Sequence, residues 1–335
     1  MNWFEAITGF PEDSYGQTQR RLRVVMGQLT SDASQRSFAV GALDTPSLGE
    51  LRTRTAHLAE SAPSRVVIVE GDVRKLHADA ANAGALFQVA SQFNLLEMVG
   101  PDVSPEDGVA RYELDRTQGP ACAMAAGAAT IFRNYLVRFP DGTIGQTRDR
   151  QIDCLRDLGQ ALGNDDGGLW RMQNGYALFT RDGLASVDRQ LAAASEETMD
   201  ALRCLLRIGL HWGVGLTDVD PGPTVSQAFC SALPVSYNRI AGTGLWVRLA
   251  TLVLEAAYEA TLRAGWLSVA RGGNNRVFLT RLGGGAFGND TRWIDGAIRR
   301  ALQQARGWHL DVRIVSYGEP DQDLEQLAHD CGDGT

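Results

Sequence analysis

The spacing of apolar and polar residues divides the chain into recognisable elements. RVVIVEGD (65–72) is a β-branched run closed by Gly-Asp, which predicts a buried strand entering a turn. LFQVASQFN (86–94), VSQAFCSALPV (225–235), RVFLTRL (276–282) and DVRIVSY (311–317) read as further strands. Between them lie helical patterns. TQGPACAMAAGAATIFRNYLV opens a helix, with Pro120 early, where a missing N–H is harmless. Residues 245–263 place Leu249, Leu252, Val253, Ala256 and Ala260 on one face and Arg248, Thr251, Glu255 and Glu259 on another. Residues 291–305 form a third helical pattern, and Thr18–Leu29 and Ser47–Ala59 read as shorter helical patches. Strands alternating with helices imply an α/β fold, a mostly parallel sheet covered on both faces.

Residues 138–222 interrupt this alternation. They carry a possible hairpin at Asn174-Gly175 and a helical run at EETMDALRCLLRIGL, and read as a largely helical insertion. We therefore expect an N-terminal extension (1–64) packed on the core, a core at 65–318 with an insertion near 138–222, and a flexible acidic tail (319–335).

Composition narrows the function classes. Among 335 residues the formal net charge is −8, which argues against nucleic-acid binding, since that depends on a Lys/Arg excess. Any anionic ligand must be held by local features. The five cysteines are scattered, with no C-x-x-C, and are expected as reduced thiols of a cytoplasmic protein. No His/Cys spacing suggests a metal site. The segment 245–267 is interrupted by charges, so no membrane span is expected, and the N-terminus lacks the apolar stretch of a signal peptide.

The chemistry concentrates in loops that lead from strands into helices. GGGAFGND (283–290) holds four glycines in six positions between a strand and a helix. Glycine lets a backbone approach a ligand closely, and amides at a helix start suit phosphate oxygens. TQGPACA (117–123) has the same form. Two such loops on one sheet suggest a diphosphate held between them. The alternative is a pair of tight turns. No Walker Lys-Ser/Thr follows the glycines, and G-x-G-x-x-G spacing is absent, so neither an NTPase nor a Rossmann dehydrogenase is indicated.

The ordered set of these segments resembles the macrodomain family, which binds ADP-ribose, and implies a three-layer α/β/α fold. EGDVRKL looks like the family's Gly-Asp-Ile/Val turn; Asp72, followed by Val73, would receive the adenine amino group. FQVASQFN is similar to the family strand whose last asparagine, here Asn94, meets the distal ribose. Thr117, Gln118 and Gly119 stand at the first loop. Gly283, Gly284, Gly285, Ala286, Phe287, Gly288 and Asn289 stand at the second, around the diphosphate and ribose. Tyr317 would cover the adenine. QFNLLEM, DRTQGP, VSQAFCSALPV and GGGAFGND also resemble a divergent branch of bacterial effector macrodomains that remove ADP-ribose from modified proteins. The resemblance implies an ADP-ribosyl hydrolase with ADP-ribose or an ADP-ribosylated protein as partner and no cofactor, or else a non-catalytic ADP-ribose reader.

Four residues are candidates for the catalytic carboxylate, Asp290 first, the Asp218/Asp220 pair second, and Glu97 after them. Asp290, in Asp-x-x-Trp after the second loop, is similar to a catalytic aspartate of a related macrodomain type; a helix N-cap is its plain alternative. In the divergent branch an aspartate follows the tryptophan of HWGVG, where this chain has Gly213, so Asp218 or Asp220 would substitute or activity would be lost. Both also fit ordinary turn chemistry. The Gly-Gly-Gly…Gln-Glu-Glu signature of the poly(ADP-ribose) glycohydrolases is absent, although Glu97 lies close to Asn94. Glu97 is read as an acid–base candidate or a solvated carboxylate, and His211, Cys122 and Cys230 as packing residues.

Overall fold

A computed structural model describes residues 1–219, 222–240, 242 and 244–332. Its centre is a seven-stranded sheet built from β1 (Ala42–Asp44), β2 (Arg65–Glu70), β3 (Leu86–Ala90), β4 (Gly209–Gly215), β5 (Thr224–Cys230), β6 (Arg276–Leu279) and β7 (Asp311–Ser316). Their spatial order is β1-β4-β5-β3-β6-β7-β2. From β5 across to β2 every pair is parallel, and only β4 runs against its neighbours. The runs found in the sequence supply the five parallel strands; β3, β5 and β6 are buried on both faces, whereas β7 and the edge strand β2 are half-buried.

Successive residues of the central strands point to opposite layers. Phe87 stacks on His77, and Gln227 reaches the carbonyl of Cys122, so one face meets α2 (Val73–Ala78) and α3 (Gln118–Ala125). Gln88 and Cys230 meet Thr261, so the other face meets α4 (Val247–Ala270). Against α4 lie α1 (Leu48–Thr55) and α5 (Thr291–Gln304). The result is a three-layer α/β/α architecture.

A buried ion cluster ties α1 to α4. Glu259, 1% exposed, accepts from Arg52 (2.7 and 2.8 Å), Arg263 (2.8 Å) and Arg300 (3.0 Å). Burial would raise its carboxyl, but hydrogen bonds from Arg52 and Arg263 hold it down at about 2.

Several expectations are corrected. Thr18–Leu29 is not a helix: helical residues end at Arg20, and Leu22–Val25 pairs antiparallel with Gln28–Ser31. The Met26-Gly27 turn, with φ of 49° and 75°, matches the left-handed geometry of a two-residue hairpin, and Val24-Val25 favours extended backbone. The helical run at 196–210 stops at Arg203, because Gly209–Gly215 is drawn into the sheet as β4. The strand expected over 86–94 pairs only to Ala90, then turns through Leu95 at φ 65°.

The extension at 1–64 contributes an edge strand and α1 to the core, and the region 138–222 contributes β4, so neither is merely appended. The expected flexible tail forms helix α6 (Gln322–Gly332), which buries Leu324 and Leu327 beside β2 and α5.

Candidate functional site

The five parallel strands end on one side of the sheet, and a cleft of about 670 Å³ opens there. Gly71 and Asp72 follow β2, Ala90 to Gln92 follow β3, Cys230 and Ala232 close β5, Thr280 to Gly283 follow β6, and Tyr317 follows β7. This is the place where open α/β sheets bind ligands, since strand ends and helix starts converge there.

Two sets of backbone amides face this cleft. Thr117, Gln118 and Gly119 border it at the start of α3, which has no side-chain cap; Thr117 N donates to Asp115 Oδ1 (2.8 Å), so the amides left free among the described residues are those of Gln118 and Gly119. Gly119 is required by packing, for a Cβ there would collide with the Ala90 carbonyl and sit 3.1 Å from Glu97 Cγ. Gln118 turns inward, accepting from Ala90 N (2.8 Å) and donating to Gln88 O (2.8 Å), so its side chain completes the edge of β3. Across the cleft, Gly283, Gly285, Ala286 and Phe287 line the second loop. The amides of Gly285, Ala286 and Phe287 find no hydrogen-bond acceptor among the described residues.

That loop is a clasp. Asn289 N donates to Gly283 O (2.9 Å), Asn289 Nδ2 to Leu233 O (2.8 Å), and Ser236 N to Phe287 O (3.0 Å). Gly283 (φ 74°) and Gly288 (φ 71°) hold left-handed conformations at its ends. Asn289 and Gly288 therefore shape the loop from behind, and Gly284 packs towards Ile294; none of the three lines the cleft. Phe287 borders it together with Tyr176 and Tyr237, with ring centroids 5.4 and 5.7 Å away.

At the opposite end, Asp72 caps α2 by accepting from Arg74 N (2.8 Å), and Val73 sits buried at the cleft edge. Tyr317 is 86% exposed on the rim, free to lie over a flat ring. Arg74 and Arg281 bring positive charge, but Arg74 is paired with Asp218 (2.5 and 2.6 Å), and Arg281 with Asp295 and Asp321.

The four expected carboxylates separate. Asp290 is the N-cap of α5, accepting from Arg292 N (2.9 Å) and paired with the Arg292 guanidinium (2.7 Å), whose hydrogen bond lowers it to about 2. It does not line the cleft, so the structure gives it the capping role. Asp218 is engaged by Arg74 and also lies off the lining, and Asp220 lies outside the described residues. Gly213, where the divergent branch carries an aspartate, has φ 63° on β4 beside a register shift between Val225 and Gln227, a bulge that favours glycine.

Glu97 does border the cleft floor. Both its carboxyl oxygens expose less than 1 Å² and lack a hydrogen-bond partner. Burial pushes its pKa up to about 8 against the pull of Arg133, so it carries a proton at neutral pH. Orphaned buried carboxyls are uncommon and mark sites where chemistry or binding supplies the partner.

Asn94 is a correction. Its Nδ2 donates to Gln151 Oε1 (2.8 Å) and its Oδ1 accepts from Leu96 N (3.1 Å), beneath the Asn174-Gly175 turn. A Cβ on Gly175 would come within 2.6 Å of it. Asn94 thus seats the hairpin, and Ser91 and Gln92 face the cleft instead. Sequence reasoning also missed Tyr176 and Tyr237, which reach the site from the hairpin Trp170–Phe179 and the turn at 235–237. The Asn174-Gly175 signal marked that hairpin, but nothing local showed where it docks.

Among the described residues no group of three or more His, Cys, Asp or Glu could hold a metal ion, and no helix is long and apolar enough to cross a membrane. The five cysteines are free, and Cys122, Cys154 and Cys230 are buried.

No family model matches the chain, and no curated protein matches it. Solved structures do align with it. A poly(ADP-ribose) glycohydrolase from Thermomonospora curvata is 13% identical with a TM-score of 0.46, over 92% of this chain and 93% of that one. A poly(ADP-ribose) glycohydrolase from Deinococcus radiodurans, in complex with ADP-ribose, is 16% identical with a TM-score of 0.39, over 86% and 92%.

Proposed function

We propose that the protein binds ADP-ribose in this cleft and hydrolyses its bond to a modified protein side chain. One observation carries the reading: the uncapped start of α3 and the unpaired amides of Gly285, Ala286 and Phe287 border the same cleft. A diphosphate between them would satisfy both sets of donors without a lysine, in a protein of net charge −8. Asp72 and Tyr317 suit the adenine end, and the Phe287, Tyr176 and Tyr237 rings suit the faces of the distal ribose.

In the reaction, water attacks the anomeric carbon of that ribose while its bond to the acceptor oxygen or nitrogen breaks. Glu97, protonated in its dry setting, gives its proton to the leaving side chain and regains one from the attacking water. General acid–base help of this kind is worth roughly 10²–10⁴-fold. Rigid placement of the diphosphate and ribose contributes the orientation term. Among macrodomains, the quoted motifs favour the effector branch that includes MavL, and the five thiols suit a cytoplasmic location.

A second reading, a non-catalytic ADP-ribose reader, draws on one observation: Asp290 and Asp218 are each neutralised by an arginine. Calorimetry with ADP-ribose, and release of ADP-ribose from a mono-ADP-ribosylated protein by wild type and Glu97→Gln, separate the readings. Binding with release that disappears in Glu97→Gln supports the hydrolase. Binding with background release by both favours the reader, and no heat at millimolar ligand removes both.

A further inference from the structure

Behind the cleft floor lies a buried cation that no step above uses. Arg133 sits in the wide π-helical turn Phe132–Leu136 with its guanidinium 0% exposed, and it does not line the cleft. Its Nε donates to Leu95 O (3.0 Å) and its Nη2 to Thr130 Oγ1 (3.0 Å), while Nη1 lies 3.3 Å from His211 Nδ1. The planar group stacks 3.8 Å from the Phe229 ring centre. Its Nη2 lies 3.7 Å from Glu97 Oε1, which has no hydrogen-bond partner.

Burying a guanidinium costs several kcal/mol unless other groups use its charge and its donors. Here one donor holds the peptide that carries Glu97, and the others meet Thr130 and His211. Leu95, two residues before Glu97, adopts φ 65°, a conformation a branched residue resists, and Arg133 holds its carbonyl. The charge faces Glu97.

We propose that Arg133 is the positioning residue of the site: it fixes the loop bearing Glu97 and holds a cation against that carboxyl, without touching substrate. This rests on the hydrolase reading above. The other groups facing Glu97 cannot replace it. Tyr112 accepts from the Glu97 amide (2.9 Å) and is itself buried and neutral; Cys122 is held in the thiol form by burial. His211 is kept neutral by burial first and by Arg133 second, and Glu12 is spent on Tyr135 and the amides of Val109 and Ala110. Arg133 is thus the cation packed against this carboxyl, whereas Arg74, Arg116 and Arg281 line the cleft, and its field opposes the burial that drives Glu97 upward.

The test is the pH profile of ADP-ribose release by wild type, Arg133→Lys and Arg133→Met, with ADP-ribose affinity measured on each. In Arg133→Met the limb governed by Glu97 is expected to move at least one pH unit towards alkali, with affinity within about threefold of wild type; Arg133→Lys recovers part of the shift. A purely structural role lowers the rate at every pH and leaves the limb in place, which overturns the proposal. Direct titration of the Glu97 carboxyl by 13C NMR in wild type and the neutral, hydrogen-bonding Arg133→Gln decides the matter should the methionine variant not fold. An upward shift upholds the proposal and an unchanged midpoint overturns it. A wild type that neither binds nor releases ADP-ribose refutes the hydrolase reading alone, since the carboxyl titration still reports on Arg133.

Discussion

Two glycines of one loop should respond to alanine in opposite ways. Gly283 has φ 74°, and a Cβ there would come 2.5 Å from Ala232 Cβ and 2.6 Å from Asn289 Nδ2. A left-handed alanine costs roughly 1–2 kcal/mol, and forcing a methyl into filled space costs about 1–3 more. Asn289 Nδ2 is bonded to Leu233 O, so it cannot yield without breaking the clasp. Gly283→Ala should therefore lose about 2–5 kcal/mol. Gly285 lines the cleft without a positive φ, and nothing lies within 4 Å of its Cβ position. Gly285→Ala should fold with wild-type stability or gain about 0.4–1 kcal/mol through a less flexible unfolded chain. Its methyl nevertheless occupies the space where a diphosphate would meet the loop amides, so ADP-ribose affinity should fall at least tenfold, or about 1.4 kcal/mol. Urea denaturation and calorimetric titration of both variants measure the two quantities. A Gly285→Ala protein that binds ADP-ribose as tightly as wild type refutes the claim that these amides grip the ligand.

Other expectations follow from the same geometry. Asp290→Ala should cost about 1 kcal/mol by removing a helix cap and leave the rate of ADP-ribose release unchanged, read by thermal melting and the release assay. Glu259→Gln, which removes the carboxylate three arginines share although Arg52 keeps Asp200, should cost about 1.5–3 kcal/mol at neutral pH. Because the folded pKa of Glu259 lies below its unfolded value, its stabilisation is present above pH 4.5 and fades as pH falls towards 2; urea melts across that window read the loss. Glu97 has the opposite sign: its folded pKa of about 8 exceeds the ordinary 4.5, so wild type should lose stability progressively as pH rises between them, and Glu97→Gln should gain relative stability over the same window. Leu327→Ala, at a fully buried position of α6, should cost about 2–5 kcal/mol in a urea melt, which a frayed tail would not.

The strands were legible where burial on both faces demands apolar runs, as in LFQVA and RVFL, and where a β-branched run such as RVVIVE marks a half-buried edge strand. They were not where pairing overrides local preference: Gly209–Gly215 carries three glycines and becomes a strand because β5 and β1 flank it. The two amide corners were legible because glycine and an early proline announce backbone geometry directly. Side-chain roles were less so. Asn94 follows an apolar run, as a ligand residue does, yet a hairpin some eighty residues along the chain, at Asn174-Gly175, covers it. Asp290 after a glycine loop is equally consistent with a catalyst and a cap, and only the structure shows the cap and the Arg292 pair. Arg133 left no mark, because a lone arginine in an alanine-rich helix looks like a solvated one until Phe229, Leu95 and Glu97 close around it.

The most direct test of the central claim is a calorimetric titration of the wild-type protein with ADP-ribose, run beside Gly285→Ala. Saturable one-to-one binding that weakens at least tenfold in the variant is the predicted result. No heat at millimolar ADP-ribose, or equal affinity in both proteins, would contradict a diphosphate held between the start of α3 and the glycine loop.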